Sequence, residues 1–120
     1  MNTFPAEYAN NQAVAVGTPV TGKKVAMGLQ KANCFALYTT YTLGTAGNTI
    51  SLQLQCQDPV NLNWVNFGTP LALSAAGGAI NTLTVPAGTT AWRLVFTSTG
   101  TGTDIIEVVV TGLPQGYTIS

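Results

Sequence analysis

From Thr49 to Gln57 the chain alternates without a break: Ile50, Leu52, Leu54 and Cys56 fall on one side, and Ser51, Gln53, Gln55 and Gln57 on the other. A sustained period of two marks a strand with one face buried. The even positions build a core. The odd positions supply amides and a hydroxyl, a face that can meet water or another protein without burying a charge. A turn from Asp58 to Asn63 and a second short run, Trp64 to Phe67, complete the unit around which the rest must fold.

The same punctuation recurs along the chain. Ala13 to Val16 is strand-like and is stopped by Gly17, Thr18 and Pro19, and Lys23 to Leu29 follows Gly22. Cys34 to Leu43 places Phe35, Leu37, Thr39, Tyr41 and Leu43 on one face. Gly68 to Pro70 ends the run at Phe67, Leu71 to Leu73 is a short strand candidate, and Ser74 to Gly78 reads as a loop. Ile80 to Val85 is closed by Pro86 to Thr89, and in Ala91 to Thr97 the residues Trp92, Leu94 and Phe96 alternate with Arg93, Val95 and Thr97. Asp104 to Thr111 is apolar on both faces, which places it in the middle of a sheet with something packed over each side. The one helix candidate, Val25 to Asn33, lacks a cap and carries Gly28. The pattern predicts an all-β chain, a single β-sandwich or jelly roll of about 7–8 antiparallel strands. Residues 1–12 are expected to be an extended N-terminal arm, 13–113 the sandwich and 114–120 a C-terminal tail.

At 120 residues the chain suffices for one domain with a real core. Four Lys and Arg balance four Asp and Glu, and charged residues are only 7%, far below the usual quarter. A neutral surface of Thr, Asn, Gln and Ser is prone to associate. Two explanations stand: an ordinary secreted β domain, or a subunit whose surface is largely covered in an assembly. Nucleic acid is not an expected partner, because the only close basic pair is Lys23 and Lys24. No secretory signal and no membrane-spanning run is visible, so the expectation is a protein made and kept soluble in a cytoplasm. If the strands around Cys34 and Cys56 form a hairpin closed by Leu43 to Asn48, the two thiols lie nearly opposite. A disulfide and two free buried thiols both fit, with cytoplasmic synthesis favouring the thiols.

The chain has no histidine, which removes the commonest general base and metal ligand. Glu7, Asp58, Asp104 and Glu107 sit in no recognisable carboxylate pair, and the glycines do not precede a helix as in a phosphate loop. No enzyme and no cofactor is expected. Asp58, Asn61 and Asn63 crowd one loop with oxygen ligands suited to calcium, although turn chemistry explains the same residues. Arg93 is the expected partner of Asp104 and Glu107 if the last two long strands form a hairpin around Gly100 to Gly102. Among the aromatic residues Trp64 and Tyr41 are candidates for stacking on a sugar ring, whereas Trp92 shares a face with Leu94 and Phe96 and belongs to the core. Phe4, Tyr8 and Tyr117, in the terminal segments, are candidate interface anchors.

The run Gln55 to Asp58 followed by Asn63 to Gly68 is similar to the strand, Asp turn, Trp and Gly sequence of small β-sandwich domains in tailed bacteriophage virions. Ala91 to Phe96 resembles the aromatic, Arg, Leu strand that follows in those domains. The resemblance spans residues 49 to 110. It departs by having Asp58-Pro59 where Asp-Gly is usual, and by the absence of the flanking domains of a large fibre. Discoidin-like carbohydrate or lipid binders share a similar arrangement. The resemblance implies a virion structural protein: a capsid decoration or cement subunit on the major capsid protein, or a tail or fibre component. A homo-oligomer, a trimer at a three-fold position, is the expected form. The competing class is a carbohydrate-binding or adhesin-like module.

Overall fold

A computed structural model of the chain describes residues 3–75 and 77–120. All of its regular structure there is strand: β1 (Thr3–Ala15), β2 (Val20–Thr21), β3 (Val25–Ala26), β4 (Cys34–Thr42), β5 (Thr49–Gln57), β6 (Trp64–Asn66), β7 (Leu71–Ser74), β8 (Gly78–Thr84), β9 (Ala91–Thr99), β10 (Thr103–Pro114) and β11 (Thr118–Ile119). One sheet has the order β1, β10, β4, β8. The other runs β11, β3, β9, β5, β6, with β2 also on β9 and β7 also on β5. All of these strand pairs are antiparallel.

The winding follows from the pairing. Counting β2 with β3 and β6 with β7, and setting aside the terminal β11, the strands occupy eight positions. The pairs are nested: β1 with β10, β2 and β3 with β9, β4 with β8, β5 with β6 and β7. This is one long antiparallel ribbon rolled up until β10 meets β4 and β9 meets β5. The result is a jelly roll.

The core is the space between the two inner faces. Ile50, Leu52 and Leu54 of β5 and Trp92, Leu94 and Phe96 of β9 point in from one sheet, and Phe35, Leu37, Tyr41, Ile106, Val108 and Val110 from the other. Trp92 is fully buried, with ring centroids of Tyr8 at 5.8 Å and Phe35 at 5.4 Å. The alternation of β5 is therefore realised as expected: its even side is core, and Ser51, Gln53 and Gln55 are half-buried on the outer face.

Rolling the ribbon corrects two expected hairpins. β4 and β5 are consecutive yet lie in opposite sheets, so Cys34 pairs with Thr84 while Cys56 pairs with Val65 and Trp92. Both thiols are free, but neither is buried as expected: Cys34 is exposed and Cys56 half-buried. Likewise β9 and β10 belong to different sheets, and Arg93 is not carried toward Asp104.

The termini also differ from the expected arm and tail. Residues 3–12 lie within β1 and pair with β10, from Thr3 opposite Pro114 to Gln12 opposite Ile106; residues 1 and 2 lie outside the described residues. The register of β1 shifts three times, and Asn11 has a φ of 47°. Such bulges put Tyr8 and Ala9 inside in succession and erase the period of two. At the other end β11 pairs with β3, and the backbones of Lys24 and Ser120 exchange hydrogen bonds of 2.8 and 3.0 Å. β10 sits in the middle of its sheet, as its sequence indicates, but only one face is covered: Ile106, Val108 and Val110 are buried, while Ile105 is exposed and Val109 half-buried.

Candidate functional site

The residues singled out from the sequence are dispersed. Tyr8 is 1% exposed, and its hydroxyl donates to the Lys23 carbonyl at 2.5 Å while accepting from the Leu94 N–H at 2.8 Å. Burial pushes this phenol far above its ordinary value, against the opposing pull of the Leu94 N–H and of the Arg93 charge. Tyr8 is a core residue and no interface anchor. Tyr117 is partly buried and packs against the core. Of the three only Phe4, 41% exposed at the start of β1, remains on the surface.

Trp64 and Tyr41 do not come together. Tyr41 is a buried residue of β4, its hydroxyl directed to the Ser74 carbonyl at 3.4 Å. Trp64 lies on β6 in the opposite sheet, and the Arg93 guanidinium covers its ring at 4.2 Å from the centroid. The same guanidinium donates through Nε to Gln55 Oε1 at 2.8 Å, and Gln55 Nε2 donates to Asn66 Oδ1 at 2.9 Å. Arg93 thus braces the β5–β6 hairpin, with the cation held over the aromatic face.

The acidic residues are engaged locally. Asp58 Oδ1 accepts from the backbone N–H of Val60 at 2.8 Å and of Asn61 at 3.2 Å, and Oδ2 accepts from Asn61 Nδ2 at 3.2 Å. Those N–H groups hold its carboxyl below the ordinary value. This is the turn chemistry that Asp and Asn supply. Asp104 is fully buried where the β4–β5 and β9–β10 connections meet. It accepts from Gly44 N at 2.7 Å, from Asn48 Nδ2 at 2.9 Å and from Ser98 Oγ. Burial pushes this carboxyl up, and the three donors outweigh it, so that it sits below its ordinary value. Asn48 also holds Thr101 through its N–H at 3.0 Å and its carbonyl at 2.7 Å. A Cβ on Gly100 would run into the Asn48 side chain, which is why the chain has glycine there. The cluster is a clamp between two loops.

A different surface stands out. Between Asp58 and Arg93 there is no charged residue. That stretch builds β6, β7 and β8, and so both free strand edges along one side of the sandwich. Val60 is 82% exposed there, Ile80 69%, Leu62 62% and Val65 57%. Two concavities lie on the same side. A groove of about 330 Å³ runs between the β5–β6 hairpin and the Pro86–Thr90 turn, with Val65 and Phe67 in its wall. A cleft of about 280 Å³ opens between the sheets, lined by Leu52, Leu54, Phe67, Asn81 and Leu83. Asn81 Oδ1 is buried there with no hydrogen-bond partner among the described residues. Monomeric proteins usually guard such edges with Lys, Glu or Pro, and this one leaves them neutral and apolar. The gap in charge is legible in the sequence, but that it lies along one side of the molecule depends on the rolled topology.

No protein-family profile matches the sequence. No curated protein matches it either. Among solved structures it is similar to a chain in the cryo-EM structure of Broad Bean Stain Virus, with 10% identity and a TM-score of 0.46, over 98% of this chain and 89% of that one. The jelly-roll assignment rests on strand order and pairing.

Proposed function

We propose that this protein is a virion structural subunit, a capsid decoration protein that binds and stabilises a head shell. The observation that carries the reading is the uncharged side of the sandwich, where Val65 and Ile80 stand exposed on two open-edge strands and Val60 and Leu62 on the turn between β5 and β6. Exposed apolar clusters of this kind mark surfaces that are covered in the working state. A shell-binding subunit needs no catalytic group, and weak contacts repeated over a symmetric lattice add up through avidity. The resemblance of residues 49 to 110 to small phage virion sandwiches favours a place in a virion, and the exposed edge favours attachment through that side. The partners are the major capsid protein and further copies of the chain, with neither nucleic acid nor membrane required.

The test is co-sedimentation of the purified chain with particles banded from a lysate of its source. Saturable binding is expected, weakened at least tenfold by Val65→Lys, which places a charge on the apolar edge. If the wild-type chain stays in the supernatant at every ratio, the proposal fails.

A further inference from the structure

We infer that β8 is a pairing edge for a second copy of this chain, and that two molecules join their four-stranded sheets through antiparallel β8 strands about a two-fold axis at Asn81. Among the described residues β8 is hydrogen-bonded on one side only, to β4. Its alternation fixes which groups remain free. Gly77 O accepts from Tyr41 N at 3.0 Å and Val85 N donates to Asn33 O at 2.9 Å, so the odd-numbered residues of β8 turn their backbone groups toward β4. Gly78, Ile80, Thr82 and Thr84 turn theirs to the open edge.

That arrangement is self-complementary. An axis at Asn81 sets Ile80 opposite the second copy's Thr82 and Gly78 opposite its Thr84, and every free N–H and C=O on the edge meets a partner. Asn81 then faces Asn81 in a non-hydrogen-bonded pair, the closer of the two kinds, with Cα atoms about 4.5 Å apart. Asn81 lies on the inner face, opposite Leu37, and its Oδ1 is buried without a donor. An amide carries both donor and acceptor, so a second Asn81 across the axis supplies what the first lacks. Nothing charged in β6, β7 or β8 opposes the approach of an identical surface, and Ile80, 69% exposed, is covered by it. The lone amide on the inner face of an edge strand then selects one register, because moving the axis to Ile80 or Thr82 would set Asn81 against the apolar Ala79 or Leu83 of the same inner face. The symmetry is two-fold, in place of the three-fold form expected from the sequence. It does not rest on the virion reading: the dimer is expected in solution whether or not particles bind the chain.

The experiment is light scattering on the size-excluded full chain at about 100 µM, above the micromolar range in which interfaces of ordinary size assemble. The expected mass is twice 12.4 kDa. Thr82→Pro removes an N–H from the open edge while leaving the β4 ladder intact, and it is expected to give 12.4 kDa with an unchanged circular dichroism spectrum. Ile80→Lys, at an exposed position, is expected to do the same and serves if the proline variant fails to fold. Asn81→Asp sets two carboxylates face to face and is expected to dimerise only in acid. A wild-type monomer at 100 µM, a trimer, or a dimer indifferent to both Thr82→Pro and Ile80→Lys overturns the inference.

Discussion

Removing Asn48 should cost this small protein a large part of its stability. In Asn48→Ala the buried Asp104 carboxylate loses one of three donors, and Thr101 loses both its N–H and carbonyl contacts. A hydrogen bond to a charged group is worth about 1.5–3 kcal/mol and a neutral one about 1 kcal/mol, so the expected loss is about 3–5 kcal/mol. Urea unfolding followed by tryptophan fluorescence measures it. With a slope of about 2 kcal/mol per molar the midpoint should fall by about 2 M. The pH dependence gives a second reading. Because Asp104 is held below its ordinary value of 3.8 in the folded chain, the unfolded chain takes up its proton first as acid is added. The stabilisation is fully present above that ordinary value and is lost as pH falls through the lower folded value. Asn48→Ala weakens the hold, so the gap between variant and wild type should narrow in acid. A loss below about 1 kcal/mol at neutral pH, or a gap that widens in acid, would refute the clamp.

Three further outcomes follow from the same contacts. Gly100→Ala adds a Cβ at a φ of 123° against the Asn48 side chain, which should cost about 1–3 kcal/mol; combined with Asn48→Ala it should cost less than the sum, since the obstruction is gone. Tyr8→Phe keeps the ring stack on Trp92 but strands the Lys23 carbonyl and the Leu94 N–H, for a loss of about 1–3 kcal/mol in the same assay. Iodoacetamide at pH 8 should label exposed Cys34 well before Cys56, whose thiol burial pushes up; equal rates, read by peptide mass, would contradict the placement of the two strands.

Most strands were legible because one face of each is buried. Ile50, Leu52 and Leu54, or Phe35, Leu37 and Tyr41, alternate in sequence because they alternate between core and solvent. Where the backbone is irregular the signal disappears. The bulges of β1 bury Tyr8 and Ala9 together, and an aperiodic segment resembles an arm. Pairing is less legible than strand position, since the turn between β4 and β5 looks the same whether it closes a hairpin or crosses to the other sheet. That ambiguity misplaced Cys34 against Cys56 and Arg93 against Asp104. Burial of Asp104 was hidden for the same reason: its donors Gly44, Asn48 and Ser98 are brought together only by the roll. The uncharged stretch between Asp58 and Arg93 could be seen in the sequence, but only topology gathers it onto one side.

The most direct test of a shell-decorating role is copy number. Particles banded from a lysate of the source, analysed by mass spectrometry calibrated against the major shell protein, should carry this chain in numbers comparable to the shell subunit itself. A few copies per particle would move it to the tail, neck or fibre base, and complete absence from particles would contradict the account.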